Sequence, residues 1–196
     1  MALAYLLAKG TGKLFNVRFN IPLVLVLSII PDIDIILSFL LRTNIHRGPT
    51  HSIIVAILVF IPFFILYRQK AVPYFAALAS HSVIGDFLIG GLQLLWPLSS
   101  REFGFSYVSI YSMESVALEF TLFIIALVIM FKTRDIHQFF RNSNLNLILA
   151  IPIFTVLLPT FASYPLRVPL LLVLPHLFYL VLFSISVLFV VRRFFK

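Results

Sequence analysis

The chain has 196 residues, 61% of them hydrophobic and 11% charged, with a mean hydropathy of +1.09. A soluble domain carries about 25% charged residues, so these values exclude one and make lipid the solvent for most of the surface. The net charge of +8 does not imply nucleic acid, because the basic residues lie in short clusters between apolar runs, as membrane-protein loop charges do; the absence of cysteine removes disulfides, thiolate metal ligands and a cysteine nucleophile.

In chain order, residues 1–20 read as a short amphipathic helix on the membrane surface. Their first apolar stretch, Ala2 to Ala8, is too short for a secretory signal, and its charges, Lys9 and Lys13, follow it. Six apolar runs then approach the roughly 20 residues that a spanning helix needs: Ile21–Leu41, Ser52–Tyr67, Val72–Leu95, Ser115–Phe131, Leu147–Ser163 and Val168–Val191. The second and fourth are short. No internal repeat or low-complexity linker divides them. The expected architecture is an all-α, polytopic membrane bundle of about six transmembrane helices, forming one membrane-embedded domain over residues 1–196.

Orientation follows from Lys and Arg. With the N-terminus on side one, that side holds Lys9, Lys13, Arg18, Arg68, Lys70, Lys132, Arg134, Arg141, Arg192, Arg193 and Lys196, against Arg42, Arg47, Arg101 and Arg167 on the other. Both termini are therefore expected in the cytoplasm, with the loops 42–51 and 96–114 outside. Six of the seven acids and four of the five histidines then fall in the outer half or outer loops; Asp135 and His137 stay behind. The orientation used only basic residues, so this segregation independently implies one polar site.

Three motifs would build it. In "IPDIDI", Asp32 and Asp34 would diverge by about 200° on a continuous helix, sending one carboxylate to lipid at a cost of about several kcal/mol. Pro31 permits a break that turns both into a shared cavity; a solvated loop is the alternative. In "HRGPTHS", Gly48-Pro49 makes a turn, Thr50 can cap the second span, and His46 and His51 flank the turn closely enough to share an ion. Imidazoles beside carboxylates make a divalent-metal ligand set, zinc first among the candidates. Arg47 can grip a phosphate or carboxylate or anchor a lipid headgroup. In "SHSVIGD", His81 and Asp86 are five residues apart and diverge by about 140° on a regular helix. A π-bulge near Gly85 would bring them onto one face. Thr50, Glu119 and His176 are candidate partners orienting the ligands, although His176 beside Pro175 can instead satisfy a carbonyl at a kink. Gly85, Gly90 and Gly91 are expected to allow close helix packing, and Trp96 with Pro97 to anchor the interface.

The order PDID, HRGPTHS, SH…GD and the tail "QLLWPLS" resembles the YdjM-type (LexA-regulated) membrane-bound metal-dependent hydrolases over about residues 1–100. That family looks distantly similar to zinc-dependent phospholipase C, which cleaves phosphoesters with a cluster of His and Asp ligands. The resemblance implies metal ligation by Asp32, Asp34, His46, His51, His81 and Asp86, with Arg47 in the family's arginine position. Two departures stand out. The family usually spaces the last pair by four residues, and it tends to carry an N-terminal histidine where this chain has Tyr5. A single metal, or two with a weak second position, is then expected.

The expected function is a membrane-embedded, divalent-metal hydrolase of an ester or phosphoester at the outer face, with membrane lipids as partners and an amphiphilic lipid as substrate. Its ligands hold the metal or, as Asp34 could, serve as general base, and Arg47 stabilises developing charge. A metal or proton transporter and a non-catalytic protein with a structural metal remain the alternatives.

Overall fold

The computed structural model describes residues 1–35, 42, 46–105, 109, 111–162, 166 and 168–195, and among these every regular element is helical. The far end of the first expected span, with Asn44, Ser163, Arg167 and Lys196, lies outside the described residues.

Helix α1, Ala2–Leu14, is not a surface helix. Ala4, Tyr5 and Ala8 are at most 1% exposed, and α1 packs against α2, Ile21–Leu27, and against the helices that follow. Ala4, Ala8 and Gly12 recur every fourth residue, giving a flat face on which Ala77 and Val24 close. Small residues at that spacing let helices approach in an apolar solvent. This pattern, rather than the charge of Lys9 and Lys13, decides where α1 sits.

The expected continuous span Ile21–Leu41 breaks. Asn20 caps α2 by accepting from the Leu23 N–H, the helix stops at Leu27, and a 3₁₀ turn, Ile30–Asp32, carries Pro31. The break lies where Pro31 permits it, since proline offers no N–H to continue the ladder.

Helix α3, Ile53–Tyr67, and helix α4, Val72–Ser80 continuing through a π-helical turn His81–Asp86 to Phe87–Ile89, form one apolar run of 37 residues, Ile53–Ile89. The run is folded in two. The rings of Phe60 and Phe75 meet edge to face with centroids 5.4 Å apart, whereas fifteen residues of straight helix would put them about 22 Å apart. The reversal falls at Arg68–Ala71, where Arg68 takes φ 50°. α4 stops at Ile89, short of the expected Leu95, because Gly90 and Gly91 have φ of 88° and 74°; these two glycines make a turn rather than a helix-packing face. The outer side of α3 exposes Leu58, Ile65 and Leu66, as a lipid-facing surface does.

Helices α5 (Met113–Lys132), α6 (Asn144–Phe161) and α7 (Leu170–Val191) are each long and apolar enough to cross a membrane. They enclose the main core with α1 and α2, where Tyr5, Leu25, Phe123, Phe139, Leu149 and Phe183 are buried. Between α5 and α6 the 3₁₀ segment Asp135–Phe140 is held by buried polar groups: the Asn146 amide donates to the carbonyls of Gln138 and Phe139, and Ser186 donates to the latter.

Candidate metal centre

The reversal of α3 on α4 returns His51, just before α3, to the π turn of α4, and the break after α2 points Asp32 at the same place. His51 Nε2 lies 3.0 Å from Asp86 Oδ2 and 3.5 Å from Asp32 Oδ1. His81 Nε2 lies 3.2 Å from Asp86 Oδ2 and 3.1 Å from Asp32 Oδ1. Nitrogen and carboxylate oxygen thus alternate around one point. Donors of a tetrahedral zinc site with 2.0–2.2 Å bonds sit about 3.3–3.6 Å apart, close to these separations. Although adjacent, His51 Nε2 and Asp86 Oδ2 are both buried without a hydrogen-bond partner. Buried polar atoms are rarely left so, and a shared cation would satisfy both. The donor set therefore fits a divalent metal, and Asp32, His51, His81 and Asp86 form a group that could hold one.

The π turn reconciles the awkward spacing. In it the i→i+5 geometry brings His81 and Asp86, opposed on a regular helix, to 3.2 Å.

Asp34 and His46 stand on the other side of His51. Asp34 is fully buried. Its Oδ2 accepts from the Thr50 hydroxyl at 2.5 Å and its Oδ1 from His46 Nδ1 at 2.8 Å. Since Thr50 spends its proton on Asp34, its oxygen accepts from His51 Nδ1 at 3.1 Å, and Asp34 Oδ2 lies 3.3 Å from that nitrogen. With its proton on Nδ1, His51 turns the Nε2 lone pair to the cluster. Asp34, His46 and His51 also lie within ligand reach of one another, but one neutral imidazole has a single lone pair to give.

Thr50 does not cap α3. Ser52 does, accepting from the N–H groups of Ile54 and Val55 while donating to the Trp96 carbonyl at 2.5 Å. The Ile53 N–H donates to Leu94 and the Gln93 N–H to Arg47. The "QLLWPLS" tail thus clamps the HRGPTHS turn, a role that the interfacial reading of Trp96 missed; the serine two residues beyond Thr50 was the available signal. Arg47 has φ 64°, an unusual conformation for a branchless cation. It donates to the Gly90 carbonyl at 2.8 Å and stands 3.8 Å from Asp86 Oδ1, at the edge of the cluster.

Asp32, His81 and Asp86 also form part of the wall of a cavity of about 530 Å³. Glu119 and His176 line it too, apart from the cluster, and His176 Nδ1 donates to the Leu172 carbonyl at 2.7 Å within its own helix. Tyr5 faces away: its hydroxyl donates to Asp135 at 2.7 Å.

The family profile of the YdjM inner membrane protein matches residues 1–181. This chain belongs to that family. The match runs well past residue 100, so the helices after the motif-bearing part are shared by YdjM proteins as well. No curated protein and no solved structure matches the chain.

Proposed function

We propose that this YdjM-family protein is a membrane-embedded hydrolase that uses a divalent metal, zinc by its donor set, to cleave an ester or phosphoester of a lipid at the outer face. The observation that carries this reading is the cavity. Three of the four residues that supply the converging donors, Asp32, His81 and Asp86, line a cavity of about 530 Å³ whose other lining includes Leu88, Leu118, Leu122 and Phe123. That volume lies in the range of small-molecule sites, which pair apolar walls with a few polar groups.

In this reading Asp32, His51, His81 and Asp86 hold the ion. Bound there, it supplies Lewis acidity sufficient to make water nucleophilic near neutral pH. Asp34 and Thr50 fix the His51 tautomer, and His46 orients Asp34. Arg47, beside Asp86, offers its remaining N–H donors to negative charge developing on the substrate. The apolar walls seat an acyl or prenyl chain. Outward placement rests on the eleven-to-four bias of Lys and Arg.

A second reading, a structural metal with no turnover, is favoured by the number of protein donors, since four close a tetrahedral site. The test is metal analysis of purified protein and His51→Ala, with hydrolysis measured on a panel of lipid esters and phosphoesters. The hydrolase reading expects about one ion in the wild type, its loss in the variant, and turnover only with the ion bound. Bound metal without hydrolysis of any panel member would favour the structural reading.

A further inference from the structure

A second concave site lies at the other end of α1. Met1 to Ala4 line the cavity beside the candidate metal centre, whereas Lys9 and Lys13, about one and a half to two and a half helical turns further along, line a cleft of about 1170 Å³. Arg18 from the α1–α2 connection, Lys70 from the α3–α4 turn and Arg141 from the segment before α6 complete its charged lining. Five cations from four separate segments meet there with one acid, Asp135. That acid is already engaged by Lys9 at 2.6 Å, Tyr5 and Thr133. Among the described residues, Lys13, Arg18, Lys70 and Arg141 have no side-chain hydrogen bond or ion pair. A general excess of basic residues at one membrane face does not require them to gather around a hollow.

Two of the neutral lining residues have already engaged an acceptor oxygen. Tyr74 accepts from the Asn20 N–H through its hydroxyl oxygen, and Gln138 accepts from the Ile21 N–H through Oε1. The Tyr74 proton and the Gln138 amide hydrogens remain to be given. The cleft therefore presents mainly donors and positive charge to whatever enters it.

We propose that this cleft binds a phosphate mono- or diester, supplied by the headgroup of an anionic phospholipid. The phosphate offers the acceptor oxygens and the charge that the cleft lacks. The lipid source follows from position. Next to Lys13 at the end of α1, Leu14 is 76% exposed, and at the end of α3, four residues before Lys70, Leu66 is 72% exposed, apolar side chains suited to acyl chains beside a headgroup. Basic pockets between membrane helices bind such headgroups elsewhere. The site is independent of the metal centre and of its chemistry.

The test is equilibrium binding of labelled phosphatidylglycerol to the full-length protein in neutral mixed micelles. Phosphatidylcholine and inorganic phosphate serve as competitors. Saturable binding is expected, preferring phosphatidylglycerol to phosphatidylcholine. It should weaken at least about tenfold when Lys13, Arg18, Lys70 and Arg141 are changed together to Gln. A control variant, Lys132→Gln/Arg134→Gln/Arg192→Gln/Arg193→Gln, removes as many charges outside the cleft and should bind nearly as the wild type. Thermal unfolding of both variants checks that they remain folded. Equal weakening by the two sets would overturn the site, leaving only diffuse attraction to negative charge. Binding of inorganic phosphate that depends on the cleft residues, without any preference for phosphatidylglycerol, would support the phosphate site and overturn the lipid source.

Discussion

At the scale of single residues, the centre is organised by what each side chain gives away. Thr50 donates its hydroxyl hydrogen bond to Asp34, and this leaves its oxygen to accept from the His51 Nδ1–H. Thr50→Val removes that acceptor without changing shape. Metal affinity should fall about 10- to 100-fold, measured by competition with a chromophoric chelator; unchanged affinity would mean that the tautomer is set elsewhere. Arg47→Ala separates chemistry from ligation, since a cation makes a poor ligand and a useful partner for an oxyanion. The variant should retain its metal while turnover falls about a hundredfold or more. Loss of the ion together with activity would instead make Arg47 a support for Asp86.

At the scale of elements, two junctions position everything else. The segment after α4 folds back so that Leu92 and Phe103 exchange backbone hydrogen bonds. A Cβ on Gly104 would meet the Gly90 Cα at 2.5 Å, and Gly104 itself has φ 123°. Gly104→Ala should cost about 1–3 kcal/mol and loosen the Gly90 carbonyl that holds Arg47. Gly85→Ala, whose Cβ would find nothing closer than 3.8 Å, should be nearly silent in the same thermal-unfolding assay. The other junction ties α1 to the end of α5 through Asp135. Burial opposes ionisation there, but hydrogen bonds from Lys9, Tyr5 and Thr133 outweigh it and hold the carboxyl below its ordinary value. A carboxylate with a depressed folded pKa stabilises fully above its unfolded value, about 3.9, and loses that contribution as pH falls through the folded value. The advantage in Tm of wild type over Asp135→Asn should therefore persist from pH 7 to about pH 4 and disappear in stronger acid. An advantage already lost at pH 5 would contradict the assignment.

At the scale of the whole molecule, the candidate metal centre and the basic cleft lie toward opposite ends of α1, so orientation decides which compartment each faces. The chain has no cysteine, and single cysteines at Arg101 and Asn142, both exposed, should be labelled from opposite faces of the membrane, Arg101 from outside. Labelling of both from one face would remove the outward-facing centre. Much of this arrangement is legible in the sequence. Asp32, Asp34, His46, His51, His81 and Asp86 stand out together because ionisable groups in or beside apolar runs are costly unless paired or coordinated. The break near Pro31 and the π turn follow from needing those groups on a common side. The place of α1 was less visible, because a pattern of small residues is easily hidden behind two lysines.

The sequence by itself determined the solvent, the helical class and the residue types of the centre. Each of these depends on composition or on spacing along one segment. Only the tertiary structure decided how six polar candidates divide. Asp34 and His46 resemble Asp32 and His81 in type, yet they approach His51 from its Nδ1 side. Which side of an imidazole a carboxylate reaches depends on the angle at which the broken α2 segment meets the α3–α4 hairpin. That angle is set by burial of Ala4, Ala8, Val24 and Ala77 among α1, α2 and α4, a packing outcome of side chains far apart in the chain.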